Sequence, residues 1–204
     1  MRQGSGKQVV MASALFIIDV QNDFCEGGAL ACQGGAAVAS KITSFVNENP
    51  NRYDFVIASR DWHTPGDLNG GHFPPEGEQP DFVGTWPLHC LAGEEGAEYH
   101  PNLDTSIIDI HIKKGQGAHG YSIFEGTTDQ GEALPDLLKR LEIDEVDVVG
   151  IATDYCVRAS SIDAVTNGLA VRVITSLTAG VAAESTEAAI DDMADAGVVV
   201  LATP

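Results

Sequence analysis

The sequence predicts an α/β protein, a three-layer α/β/α sandwich around a six-stranded, mostly parallel sheet. Two observations lead there. Strand-like apolar runs alternate with helical patterns along most of the 204 residues, and such alternation builds parallel sheets covered by helices on both faces. The runs are continuous, as strands buried on both faces are. No internal repeat or low-complexity linker interrupts the pattern, and a chain of this length is most simply one domain. The expected division is a loose N-terminal tail over residues 1–13 and a single domain over residues 14–204.

In order, the first strand is the apolar run Ala14–Val20, which carries Asp19 at its end. Gly35–Asn49 has helical spacing. Phe55–Ser59 is the second strand and Ile107–Ile112 the third. Ala133–Leu141 is a helix, since Pro135 is tolerated in a first turn. Val146–Ile151 is the fourth strand. Tyr155–Asn167 is a helix closed by Gly168. Val171–Thr175 is the fifth strand, Thr186–Ala196 a helix closed by Gly197, and Val198–Leu201 the last strand. The stretch from Asp61 to Thr105 lacks periodicity and is rich in Gly, Pro and His. A loop that long within a compact domain is either functional or a misassignment of elements.

Composition excludes several classes. The net charge of -19 repels phosphate backbones, so nucleic-acid binding is not expected. No apolar run approaches the ~20 residues of a membrane span, and the N-terminus lacks the apolar region of a secretory signal. The four cysteines, Cys25, Cys32, Cys90 and Cys156, include no C-x-x-C pair. Reduced thiols in a cytoplasmic protein are expected, with Cys25, Cys32 and Cys90 as small apolar residues.

Cys156 is different. It follows the apolar run Val146–Ile151 across the small turn Ala152-Thr153-Asp154-Tyr155, in the first turn of the next helix. Free backbone N–H groups and the positive dipole end favour a thiolate there, and a thiolate is a nucleophile. In open parallel sheets, chemistry gathers at the carboxyl ends of strands. Asp19, Asp61, Lys114 and Cys156 all fall at or just after such ends. A carboxylate buried at the end of the first strand has a raised pKa and can accept the thiol proton; Asp19 is that carboxylate or a turn residue. Lys114 either offsets the developing negative charge or is a solvated lysine, which is the reading for Lys113. The N–H groups of Ala152 and Cys156 are candidates for an oxyanion hole.

The long loop carries Asp61-Trp62-His63, His72 and His89. On an extended segment, an Asp-x-His pair points both side chains one way. One carboxylate with up to three imidazoles suits a divalent ion such as Fe, Mn or Zn, though loop histidines without a metal are also common. His100, His111 and His119 are read as surface or turn residues.

Taken together, these residues resemble the nicotinamidase/pyrazinamidase family of isochorismatase-like cysteine hydrolases. The resemblance runs from about Ala14 to Ala202. It rests on Asp19-Val20-Gln21-Asn22-Asp23-Phe24, Gly27-Gly28, the Asp-x-His, Gly71-His72-Phe73 and Trp86-Pro87-Leu88-His89-Cys90. It continues through His100–Thr105, Lys114-Gly115, Tyr121–Gly126, Val146–Asp154 with Cys156, and Leu177–Val181. It implies a Rossmann-like fold and an Asp19–Lys114–Cys156 triad. It implies an oxyanion hole at Ala152 and Cys156, and a metal bound by Asp61, His63, His72 and His89. It also implies substrate binding by Phe24, Trp86, Ile151 and Tyr121, with the ring between Phe24 and Trp86 and a cis peptide at Ile151–Ala152. The implied reaction is hydrolysis of nicotinamide, and of pyrazinamide, in NAD salvage, with a small carboxamide as the only partner beyond copies of the chain itself. Tyr155 stands where relatives often carry His, and the stretch from Asp61 to His72 is longer than in some. N-carbamoyl and ureidoacrylate amidohydrolases share the triad but generally lack the Asp-x-His loop. Isochorismatases proper usually lack the cysteine. An inactive binding protein or a metal store has no use for Asp19 and Lys114.

Overall fold

The computed structural model describes residues 12–204. Residues 1–11 of the expected tail lie outside the described residues, and Ala12 and Ser13 already belong to the first strand. The strands are β1 (Ala12–Ile18), β2 (Phe55–Asp61), β3 (Ile110–Lys114), β4 (Ile143–Ile151), β5 (Ala170–Ala179) and β6 (Val199–Leu201). The helices are α1 (Gly35–Glu48), α2 (Leu134–Arg140), α3 (Arg158–Thr166) and α4 (Ala183–Asp195). The sheet order is β3-β2-β1-β4-β5-β6, and every neighbouring pair is parallel.

Side-chain alternation divides the core in two. Leu15 and Ile17 of β1 join Val38, Ala39, Ile42 and Phe45 of α1 on one face. Ala14, Phe16 and Ile18 join Leu134 and Leu137 of α2, Ala164 of α3 and Met193 of α4 on the other. All five residues of Ala14–Ile18 are fully buried, and each large apolar side chain so placed contributes about 1.5–3 kcal/mol. This explains why β1 sits at the centre and why its sequence is apolar without alternation. Gly168 and Gly197, with φ of 87° and 98°, close α3 and α4 as expected.

Of the boundaries that differ from the sequence reading, three bear on the site. β3 begins at Ile110 because Thr105–Ile107 form a single tight turn, capped by the Asp104 carboxylate accepting from Ser106 N at 2.9 Å. Lys114 is therefore the last residue of the strand. β5 runs on to Ala179 because its pairing with β4 jumps from Val148↔Val173 to Gly150↔Thr178, a bulge that local pattern does not reveal. The helix expected from Tyr155 starts at Arg158. Before it, Thr153–Val157 form one wide π-helical turn, of a kind frequent at functional sites. The long stretch after β2 holds only short helical turns at Asn69–Gly71, Glu95–Ala97 and Thr105–Ile107.

The strand order reverses between β1 and β4, and such a switch point opens a crevice at the carboxyl ends. There Ile18 pairs with Gly150. Gly150 has φ 116°, and a Cβ on it would lie 2.1 Å from the Ile18 carbonyl oxygen. Only glycine lets the two strands meet here. Gly150→Ala is expected to cost about 2–4 kcal/mol in urea unfolding. An unchanged midpoint would mean that β1 and β4 adapt without strain.

Candidate active site

β1 ends because Asp19 takes a left-handed conformation, with φ 47°. Its buried carboxylate accepts a hydrogen bond from Ser59 Oγ at 2.7 Å and lies 2.7 Å from Lys114 Nζ. Lys114 reaches back across β2 and is itself buried. It donates to Asp61 Oδ1 at 2.5 Å and to the Gly120 carbonyl, and it stands 3.7 Å from Cys156 Sγ. An oxygen of Asp19, an oxygen of Asp61 and the sulfur all lie within 4.8 Å of one another. The structure thus brings together the three residues of the expected triad, and it adds Asp61 to them.

Burial and charge set the protonation states. Burial raises Asp19 to about 6, against the pull of Lys114. Burial pushes the Cys156 thiol well above its ordinary range; Lys114 opposes this, but Asp19 and Asp61 add to it. Burial alone would lower Lys114, yet Asp19 and Asp61 outweigh it and hold the ammonium firmly charged. The resting sulfur therefore keeps its proton. Burial and the two nearby carboxylates act against the thiolate that the turn and Lys114 favour.

Beside the triad a cavity of about 300 Å³ opens at the carboxyl ends of the strands. Cys156, Ala152, Asp61, His72 and His89 line it. Phe24, Trp86 and Tyr121 form its aromatic walls, and Trp86 Nε1 donates to Tyr121 Oη at 2.8 Å. Ile151 is not on the wall. Its side chain lies in the core beneath α1, because alternation along β4 points it away from the crevice. It meets the site only through its cis peptide with Ala152. Tyr155 stands on the wall, its ring perpendicular to Trp86 at 5.2 Å. Leu30, Phe82 and Val181 also border the cavity; they come from loops whose sequence carries no periodic signal.

The three loop histidines converge. Their ligand atoms lie within 4.8 Å of one another, and Asp61 Oδ2 is 3.7 Å from His63 Nε2 and 3.9 Å from His89 Nε2. His63 Nδ1 is 2.9 Å from the Gly115 carbonyl and His89 Nδ1 is 2.7 Å from the Pro87 carbonyl. A carbonyl only accepts, so both Nδ1 atoms carry protons, and in the neutral ring each Nε2 presents a lone pair. His63 Nε2 is buried with no hydrogen-bond partner. Burial lowers His89 and brings His72 down to about 3, so these rings stay neutral. Neutral imidazoles, one orphaned nitrogen and one carboxylate oxygen fit a divalent transition ion. Gly115 is required here. It has φ 76°, and a Cβ on it would lie 2.6 Å from His63 Cε1.

Residues 13–204 match the profile of the Isochorismatase domain. The chain belongs to the isochorismatase-domain family. Among its relatives, a nicotinamidase/pyrazinamidase from Mycobacterium tuberculosis is 50% identical over 186 residues, covering 91% of this chain and 96% of that one. A solved structure from L. infantum, in complex with nicotinate, is 34% identical with a TM-score of 0.77, over 94% of this chain and 92% of that one. A pyrazinamidase from Pyrococcus horikoshii, in complex with zinc, is 29% identical with a TM-score of 0.75, over 93% and 98%.

In this isochorismatase-family site, several supporting residues were not found from sequence. Gln21 is fully buried; its amide donates to the Asp61 and Ala97 carbonyls at 2.9 and 2.8 Å and accepts from Asp61 N at 2.8 Å. It fixes the backbone that carries Asp61. Asp154 accepts from Val181 N at 3.0 Å and from Ser185 Oγ at 2.5 Å, pinning the wide turn before Cys156. A buried glutamine and an aspartate inside an otherwise apolar context were the available signals. His119, read as a surface residue, sits against His72 with their Nδ1 atoms 3.3 Å apart.

Lys114 neutralises two buried carboxylates at once. Lys114→Met leaves them facing each other and is expected to cost about 3–5 kcal/mol in urea unfolding of the metal-free protein. The triple replacement Asp19→Asn, Asp61→Asn, Lys114→Met should cost less, since it leaves no unpaired charge. Equal losses would show that packing, not charge, is what Lys114 supplies.

Proposed function

We propose that the chain is a nicotinamidase: it hydrolyses nicotinamide to nicotinate and ammonia, and pyrazinamide to pyrazinoate, through a thioester on Cys156, in NAD salvage. The observation that carries this reading is one buried ammonium touching both a carboxylate and a thiol at the edge of an aromatic-walled cavity. The cavity volume of about 300 Å³ suits a single substituted ring. The relationship to a nicotinamidase/pyrazinamidase over nearly the whole chain supports the same substrate class.

Phe24 and Trp86 hold the pyridine or pyrazine ring between them and place the carboxamide carbon at Cys156 Sγ. Asp19 accepts the thiol proton as the sulfur attacks, while Lys114 offsets the charge that forms. The N–H groups of Ala152 and Cys156 receive the oxyanion, and one such donor contributes about 3 kcal/mol to the transition state. Asp19 returns the proton to the departing nitrogen, and ammonia leaves. Asp19 then takes a proton from the water that attacks the thioester and passes it to the departing sulfur, which restores the thiol and the ionised carboxylate. Asp61, His63, His72 and His89 would hold one divalent ion, which would supply Lewis acidity beside the ring. Carbamoyl-type substrates have no use for that cluster, which favours the carboxamide reading.

Cys156→Ala and Asp19→Asn are each expected to reduce ammonia release from nicotinamide by at least about a thousandfold without loss of the fold. Release near the wild-type rate by either variant would remove that residue from the chemistry. Asp19 works as a base only when ionised, and it is raised to about 6. Activity should therefore hold above that pH and fall roughly tenfold per unit below it. A kcat/KM profile that stays flat from pH 7 to pH 5 would rule this out. Removing metal with a chelator should raise KM, and unchanged kinetics in verified metal-free protein would count against the histidine cluster as a metal site.

A further inference from the structure

We propose that His119 is a positioning residue that fixes the tautomer and ring orientation of His72. The inference rests on the reading of His63, His72 and His89 as ligands of one divalent ion. Each of these rings has one nitrogen on the shared side and one turned away. His63 and His89 turn Nδ1 toward the carbonyls of Gly115 and Pro87, at 2.9 and 2.7 Å. Such outer partners orient a ligating imidazole and strengthen its lone pair. His72 turns Nε2 inward, 3.4 Å from His89 Nε2, and its Nδ1 meets His119 Nδ1 at 3.3 Å. What a backbone carbonyl does for the other two rings, a side chain does here.

With His72 Nε2 presenting its lone pair to the ion, the protonation of the outer pair follows. His72 Nδ1 carries the proton and donates it to the lone pair of His119 Nδ1; the proton of His119 is then on Nε2. His119 is held for this task. Its ring stacks on Tyr121 at 6.1 Å and 17° and stands perpendicular to His72 at 5.3 Å. Gly120, with φ 72°, turns the chain immediately after it. Tyr121 also accepts from Trp86 Nε1, so His119 links the ligand cluster to the aromatic wall of the cavity. A side-chain acceptor is replaceable where a carbonyl is not, which makes this partner testable by substitution.

His119→Phe keeps a flat ring against Tyr121 and offers no acceptor; His119→Asn restores an acceptor oxygen. Metal-free wild type and both variants are titrated with Co²⁺ against a competing chelator, and the cobalt absorption bands are recorded. His119→Phe is expected to weaken Co²⁺ binding by roughly ten- to a hundredfold and to shift the bands. His119→Asn is expected to recover most of both. Wild-type affinity and bands in His119→Phe overturn the proposal. So does an Asn variant as weak as the Phe variant, because the effect would then be packing alone. A wild type that takes up no Co²⁺ overturns the metal reading itself and this inference with it, an outcome distinct from the other two.

Discussion

One buried ammonium organises this site. Lys114 Nζ sits between Asp19 and Asp61, at 2.7 and 2.5 Å, with the Cys156 sulfur at 3.7 Å. Four strands deliver these four groups: Asp19 follows β1, β2 ends at Asp61, β3 ends at Lys114, and Cys156 follows β4. The parallel register sets the lysine opposite Asp61 on the neighbouring strand, and its long stem carries the charge past β2 to Asp19. A cation so deeply buried is tolerable only with full compensation, and here it has two carboxylates and a carbonyl. The same contact divides Asp61 in two. Oδ1 belongs to Lys114, and Oδ2 faces the histidines. Triad and ligand cluster are therefore one electrostatic unit, and a change in either is felt by the other.

The long segment after β2 looks irregular but is closely tied. His63 exchanges backbone hydrogen bonds with Cys90 and Ala92, and Trp86 N donates to the His72 carbonyl at 2.9 Å. Asp23 accepts from Cys90 N at 2.7 Å, joining the segment to the loop that follows β1. Asn69 bonds Thr64, Asp67 and Gly117. These bonds satisfy backbone groups that a sheet or helix would otherwise satisfy. They also place four potential ligands on a scaffold with no regular structure of its own. The site is precise because polar groups converge on it, not because a single element presents it.

The sheet, its helices and the three triad residues were legible because each leaves a local mark. Asp19 and Cys156 interrupt apolar runs, and Lys114 closes one. What was not legible depends on distance or on context. The bulge in β5 and the three-residue shift of β3 arise from pairing and capping that local periodicity does not encode. His119 lies 47 residues from His72 in the chain, in a glycine-rich turn that reads as surface. Ile151 is expected at the substrate through a motif; its side chain lies in the core, and it meets the site through its cis peptide. The wide turn before Cys156 could not be told from an ordinary helix start, since both follow an apolar strand with a small polar break.

The charge state of Cys156 is the clearest case of context deciding a sign. A helix start argues for a thiolate, and a nearby lysine argues the same way. Against them stand full burial and two carboxylates within 4.8 Å. One ammonium shared between two anions has little attraction left for a third, so the proton stays on sulfur at rest. In the proposed mechanism this gives Asp19 a task that a preformed thiolate would not: the nucleophile forms as Asp19 removes the proton. A neutral buried thiol is a poor target for oxidants and stray electrophiles. In the proposed mechanism, the arrangement that delays the thiolate thereby also protects the attacking sulfur.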